Sequence, residues 1–264
     1  MNNIHPTAIV GENVTLGDNI TIGAYAIVED GAIIADSCII EPSARIHGFA
    51  RLGKSVKIGS FATIAGEPQD LHFDSSIPSY VEIGENTVIR EGATIHRATI
   101  ENASTVIGKN CLIMANAHIA HDCVLGDNII QCPFSALGGH VKVANNVFIS
   151  GGAMVHQFMR LGEGAMLSGL SSASKDVPPF VYLFERNSVR GINIIGMSRR
   201  GFSRAEISQV KSFYSKVYVG GVSPRKVALE LLQTEENITN AGRIFLEFFT
   251  EENRHFVTPP KCEA

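Results

Sequence analysis

From Ile4 onward an aliphatic residue recurs at every sixth position: Ile4, Val10, Leu16, Ile22, Val28, Ile34, Ile40, Ile46, Leu52, Ile58 and Ile64. Two residues before each, from Val10 on, the side chain is again small or aliphatic, from Ala8 through Cys38 to Ala62. Glycine often follows, as at Gly11, Gly17, Gly23, Gly53 and Gly59. The register resumes at Ile83, Ile89 and Ile95. It returns again from Ile107 to Leu167, where Gln131 is its one polar member. A six-residue unit is too short to be a helical repeat. It fits one short strand and a turn, with alternate side chains facing in and out. Three units close a triangular coil of about 18 residues, and the inward residues of each coil stack on those of the next. The chain is therefore predicted to be mainly β, a parallel β-helix.

The register breaks twice, near 65–80 (AGEPQDLHFDSSIPSY) and near 97–106. Both read as excursion loops leaving the coil, and long excursions from a compact solenoid are usually functional. The repeat fades after about residue 175, where Pro178 and Pro179 interrupt regular structure. Past residue 200 the spacing becomes helical. Ser203 with Glu206 forms a capping-box signature ahead of Ile207, Val210, Phe213, Tyr214 and Val217. Ser223 and Pro224 open a second helix, and AGRIFLEFF suggests a third. The organisation predicted is a β-helix over 1–185 and an α-helical domain over 186–264 that covers the last coil, whose edge would otherwise be unpaired.

Trp is absent and aromatics make up 7% of the chain, so the core must be mostly aliphatic. A net charge of −4 argues against nucleic acid as a partner. The charge is uneven: residues 1–184 are net acidic and residues 185–264 net basic, which suits an acidic partner or phosphates. The opening MNNIHPTAIVGEN lacks the basic and apolar regions of a signal peptide. No apolar run approaches the length of a membrane span, so stable membrane insertion is not expected. Cys38, Cys111, Cys123, Cys132 and Cys262 are odd in number and show no C-x-x-C spacing. They read as reduced thiols of a cytoplasmic protein, with neither a disulfide framework nor a zinc site.

Residues 116–123, NAHIAHDC, carry His118, His121 and Asp122 within five positions. With no break after residue 107, residues 18 apart should stack on adjacent coils. Gly139 then lies over His121, His140 over Asp122, and His156 over Gly138. An isolated histidine in a solenoid is ordinarily a solvated outward residue, but here imidazoles, a carboxylate and glycines converge on one place. A neutral imidazole can take a proton from an attacking hydroxyl. A carboxylate on its other nitrogen sets the tautomer. Glycine backbone allows close approach and can aim an N–H at an oxyanion. Cys123 falls on the inward register, so it reads as a small core residue. The set favours direct base-assisted acyl transfer without a covalent enzyme intermediate.

The hexapeptide pattern resembles that of the left-handed β-helix acyltransferases, and the hand is implied by that resemblance. IHPTAIV, QDL (69–71), TIHR (94–97), NAHIAHDC, GGH (138–140), VHQF (155–158), DVPP (176–179) and SRRGFS (198–203) occur in order. Together they resemble the acyl-ACP–UDP-N-acetylglucosamine O-acyltransferases, the family that opens lipid A assembly, over essentially the whole chain. The resemblance implies transfer of a hydroxyacyl chain from acyl carrier protein to the 3-hydroxyl of UDP-N-acetylglucosamine, in a cytoplasmic homotrimer with sites between subunits. No cofactor is implied, because the carrier protein bears the phosphopantetheine-linked acyl group. His121 would be the base, Asp122 its partner and Gly139 the oxyanion donor. Asp70 would contact the sugar, with His72 in the same loop. His118, His140 and Gln157 would line the sugar and acyl site, with His96 and His156 nearby. Asn193, Arg199 and Arg200 would hold the nucleotide. Gly169 would leave room for a longer acyl chain.

The chain departs from the family pattern at three places. His72 stands where the family usually has Lys. Ile195 stands where some members carry a charge, and YLFERNSVRG replaces a glycine-containing loop. Three alternatives follow. One is acylation of a 3-amino UDP-sugar by the same base. Another is a non-catalytic paralogue that binds UDP-sugar or carrier. The third is a zinc site built from His118, His121 and His140 on the same solenoid.

Overall fold

The structure, a computed structural model, describes residues 1–218 and 222–260. Cys262 lies outside the described residues. Strands mostly two residues long line up in three sheets, of eleven, nine and eight strands. The first sheet begins with Asn3–Ile4, the second with Ile9–Val10 and the third with Thr15–Leu16. Every third strand of the chain joins the same sheet, which is the three-sided coil that a six-residue repeat demands. The architecture is a left-handed parallel β-helix.

Each inward residue sits on its counterpart one coil away. Ile4 pairs with Ile22, Ile22 with Ile40 and Ile40 with Ile58. At the two excursions the step lengthens, from Ile58 to Ile89 and from Ile89 to Ile113, yet isoleucine still lands on isoleucine. Both insertions leave from the same corner. The first lies between Thr63–Gly66 of the second sheet and Tyr80–Ile83 of the third. The second lies between Thr94–His96 and Ser104–Ile107 of those same sheets.

The corners explain the polar residues between the apolar ones. At most corners the residue three before the inward position takes a left-handed backbone, which most side chains avoid and Asn and Asp tolerate. Asn86, Asn110, Asn128 and Asn146 fill this place at the corner between the third and first sheets. Asp122, His140 and Phe158 fill it between the second and third, with φ of 59°, 60° and 66°.

The interior is aliphatic, with Ile22, Ile40, Ile58, Ile64, Ile95 and Ile119 fully buried. Gln131 is fully buried too. Its amide Nε2 donates to the carbonyls of His118 (3.2 Å) and Ser135 (3.3 Å), while Oε1 has no partner among the described residues.

After Leu167 the coil tightens, and Met166 pairs with Tyr182. Val181–Phe184 then folds back antiparallel on Ser188–Ile192. Strand structure thus runs past residue 185, where the spacing had placed the start of the helical domain, because the hairpin gives the last coil a partner. Among the described residues four helices follow: α1 Ile194–Arg199, α2 Arg204–Tyr218, α3 Pro224–Thr234 and α4 Asn240–Glu247. The short α1 escaped the spacing analysis. The expected capping box opens α2, with Ser203 N–H on Glu206 (2.9 Å) and Glu206 N–H on Ser203 Oγ (3.2 Å). Ser223 holds the N-cap position of α3 but makes no side-chain capping bond, so Pro224 carries that start. Val210, Phe213, Phe245 and Phe249 form the helical core. The tail then returns to the coil, where Asp176 is nearly inaccessible. It accepts from Arg160 Nε (2.7 Å) and Arg254 Nε (2.7 Å), pinning the tail to the last turns. Among the described residues no helix is long and apolar enough to cross a membrane.

Ile58 lies sealed between Ile40 and Ile89, so Ile58→Ala opens a cavity that rigid coils above and below cannot close. The expected loss is about 2–5 kcal/mol in a urea titration. A loss below about 1 kcal/mol would show that the stack relaxes around vacancies.

Candidate functional site

The site forms at the corner from which both excursions depart. His121 is mostly buried, and its Nδ1 lies 2.8 Å from Asp122 Oδ2. Asp122 takes its corner conformation while its N–H donates to Thr105 Oγ1 at 2.8 Å. Thr99, on the second excursion, donates to the same carboxylate through its N–H (3.1 and 3.2 Å) and its hydroxyl (2.7 Å). Burial would raise the Asp122 pKa, but the hydrogen bonds from Thr99 and His121 outweigh it and hold the carboxyl below its ordinary value. The ionised carboxylate can only accept, so Nδ1 carries a proton, and in the neutral imidazole the lone pair is then on Nε2.

Gly139 stacks against the ring, as the coil arithmetic required. A Cβ there would lie 2.7 Å from His121 Nε2 and 2.5 Å from Cε1, so any side chain would displace the imidazole. Among the described residues the Gly139 N–H has no acceptor. His140 sits one coil from Asp122, with Nε2 3.6 Å from Oδ2, and its ring stacks flat on Phe158 at 4.6 Å. The first excursion supplies the opposite wall. Gln69, Asp70, Leu71 and His72 face His121, His140, Gln157 and Phe158 around a pocket of about 320 Å³.

Other expected residues lie elsewhere. His118 projects from its strand and shares a hydrogen bond with Thr94 Oγ1 (2.8 Å), its ring 4.9 Å from that of His96. Burial, with the nearby His118 second, pushes His96 down to about 4, and burial also lowers His118. His156 is exposed, its Nδ1 3.2 Å from the Gln157 carbonyl. Gly169 lies at a different corner, between the first and second sheets, where a Cβ would meet only the Gly151 carbonyl at 3.6 Å. Asn193 caps α1 by accepting from Gly196 N–H (3.0 Å) and borders a separate pocket of about 460 Å³ with Met166, Tyr182 and Ile195. Arg200 pairs with Glu163 and lies over Phe202, and Arg199 is exposed. Within one chain the His121–Asp122 corner and the Asn193–Arg200 region are therefore two places.

Thr99, Thr105 and Phe158 were not anticipated. Phe158 was accessible to the same arithmetic, one coil above His140. Thr99 was not, because the register break hides its stacking partner. His121, Asp122 and His140 bring possible metal-ligand atoms within 4.8 Å of one another. That trio differs from the histidines considered for zinc. Its carboxylate is already engaged by Thr99 and His121, which suits a braced base better than a ligand set. Burial pushes the Cys123 thiol up to about 12, and it donates to the Gly138 carbonyl at 3.2 Å. A thiol held protonated there is no nucleophile.

A family model described as UDP N-acetylglucosamine O-acyltransferase, domain 2, matches residues 176–257. A bacterial transferase hexapeptide model matches residues 104–130. The chain is 45% identical to an acyl-(acyl-carrier-protein)–UDP-N-acetylglucosamine O-acyltransferase of Burkholderia orbicola, covering 89% of this chain and 90% of the relative. It is 44% identical to the protein of that name from Aliarcobacter butzleri, covering 90% and 92%. Among solved structures, a UDP-N-acetylglucosamine acyltransferase from Campylobacter jejuni superposes with a TM-score of 0.90 at 34% identity, covering 98% of this chain and all of the other. One from Bacteroides fragilis gives 0.91 at 30% identity, covering 96% and 99%.

The histidine shifts have a consequence for stability. A histidine whose folded pKa is depressed contributes stability that is complete above its unfolded value of about 6.5 and is lost as pH falls through about 4. The melting temperature is expected to fall with acidification across that window, and His96→Asn to flatten the slope. Equal slopes in the two proteins would show that His96 protonates freely when folded.

Proposed function

The chain belongs to the acyl-ACP–UDP-N-acetylglucosamine O-acyltransferase family, and from this we propose that it transfers a (3-hydroxy)acyl chain from acyl carrier protein to the 3-hydroxyl of UDP-N-acetylglucosamine, the opening step of lipid A biosynthesis. One observation carries the mechanism: His121 lines the excursion-loop pocket with its Nδ1 on Asp122 and Gly139 packed against its ring. Nε2 takes the proton of the sugar hydroxyl as the hydroxyl oxygen attacks the thioester carbonyl. Gly139 N–H stabilises the oxyanion of the tetrahedral intermediate, and Asp122 the imidazolium. Collapse expels the phosphopantetheine thiolate, which takes the proton back from Nε2. The acylated sugar nucleotide and the free carrier thiol leave, and no cofactor of the enzyme's own takes part.

The separation of the base corner from Asn193, Arg199 and Arg200 supports a homotrimer in which one subunit's base faces its neighbour's nucleotide residues. Exposed Phe61, Phe134 and Leu170 along the corner between the first and second sheets offer apolar surface to such a neighbour. Asp70 and His72 then contact the sugar. The open backbone at Gly169 supports a longer acyl chain. The basic C-terminal region suits an acidic carrier protein. Buried thiols at Cys38, Cys111 and Cys123 fit a cytoplasmic location.

Wild type is expected to turn over UDP-N-acetylglucosamine with a hydroxyacyl carrier protein, and His121→Ala to lose about 10²–10⁴-fold in kcat while keeping nucleotide affinity. Nucleotide binding without turnover would mark a binding paralogue, and turnover of the 3-amino sugar alone would reassign the acceptor.

Thr99→Val removes one hydroxyl hydrogen bond from Asp122 and should raise the carboxyl's pKa. Followed by NMR, the Asp122 carboxyl then protonates at higher pH than in wild type. An unmoved midpoint would show that the Thr99 N–H alone sets this carboxylate.

A further inference from the structure

Arg97 opens the second excursion, directly after His96. Its side chain is 2% exposed, yet the nearest carboxylate, Glu67, is 3.9 Å away and itself largely in solvent. The guanidinium lies between the rings of Phe49 (4.1 Å to the centroid) and Phe73 (4.7 Å). Its donors reach the far end of the first excursion: Nη1 to the Ile77 carbonyl (2.8 Å) and Nη2 to the Ser75 carbonyl (2.9 Å). Its backbone N–H donates to the Gly66 carbonyl (3.0 Å), where that excursion begins. Ser79 Oγ donates to the Ala98 carbonyl (2.5 Å), and Asn102 N–H to the Pro78 carbonyl (2.6 Å), so the two excursions are laced together.

A buried guanidinium without a close counter-ion costs stability, and a methionine would fill this space without that cost. What arginine adds is a rigid fork that binds two carbonyls at once. The bound loop needs such a fork. Gln69, Asp70, Leu71 and His72 are all exposed, and Leu71 is fully so, so this stretch buries little apolar surface that could hold its shape. It is nonetheless the stretch that faces His121.

We propose that Arg97 is a positioning residue that clamps both ends of the 67–79 excursion and so presents Asp70 and His72 to the sugar nucleotide. The proposal rests on the reading of Asp70 as a sugar contact. It assigns the shorter excursion two tasks, because Arg97 holds the substrate loop and Thr99, two residues on, holds Asp122.

The test compares wild type with Arg97→Met, which keeps volume, and Arg97→Lys, which keeps charge but not the fork. Hydrogen exchange read by mass spectrometry needs no substrate. Faster exchange confined to residues 67–79 is expected in both variants, larger in Met, and unchanged exchange there overturns the proposal. In kinetics, the KM for UDP-N-acetylglucosamine should rise about tenfold or more while kcat and the KM for acyl carrier protein stay near wild type. Arg97→Met added to Asp70→Ala should cost little further. Losses spread over both substrates and kcat, or fully additive with Asp70→Ala, would make Arg97 a plain stability residue and sink the proposal. If wild type itself fails to turn over this sugar nucleotide, the functional reading fails, and the exchange comparison still decides whether Arg97 holds the loop.

Discussion

Everything in this molecule depends on the vertical register that puts each inward residue on its counterpart one coil away. That stacking buries an unbroken aliphatic column, and the column fixes the height of every corner. Height matters to the candidate site, because His121 and Gly139 are neighbours only by virtue of the coil step. A slip of one residue would turn the column outward and would also separate the imidazole from the one backbone position that can tolerate its ring.

The corners give the scaffold its chemistry. Most of them take a left-handed backbone, a requirement that asparagine, serine or glycine usually meets with no further consequence. At the corner between the second and third sheets the same requirement is met by Asp122, His140 and Phe158. Both excursions leave from this corner a little earlier in the chain. They fold along it, one bringing Asp70 and His72 across the pocket and the other bringing Thr99 onto the carboxylate. The environment that results holds the Asp122 carboxyl below its ordinary pKa and lowers those of His96 and His118 near His121, which leaves little competing positive charge around one braced imidazole.

The C-terminal helices close the open end of the coil and place Asn193, Arg199 and Arg200 on another face from the base. The DVPP aspartate, Asp176, serves this closure by holding Arg160 and Arg254 together, so its motif reports on assembly of the tail. Several polar residues have such local duties. Asn193 caps α1 and Arg200 pairs with Glu163, and any role toward a nucleotide is added to those.

Periodicity made the solenoid legible, because a six-residue repeat has one geometric solution and every aliphatic step is a direct reading of the core. The same arithmetic placed Gly139 over His121 and His140 beside Asp122, since an unbroken register turns sequence distance into height. It failed where the register breaks. Thr99 and Arg97 lie in an insertion, where residue number no longer measures height, so their partners Asp122 and Ser75 could be found only in three dimensions. The end of the coil was likewise decided by tertiary pairing: Ser188–Ile192 became a strand because Val181–Phe184 offered an edge, and α1 followed from the cap that Asn193 supplies. The sequence by itself determined the scaffold and the spacing of the base pair along it. Only the tertiary structure decided how the two excursions brace that pair, because their contacts are made between segments that no repeat relates.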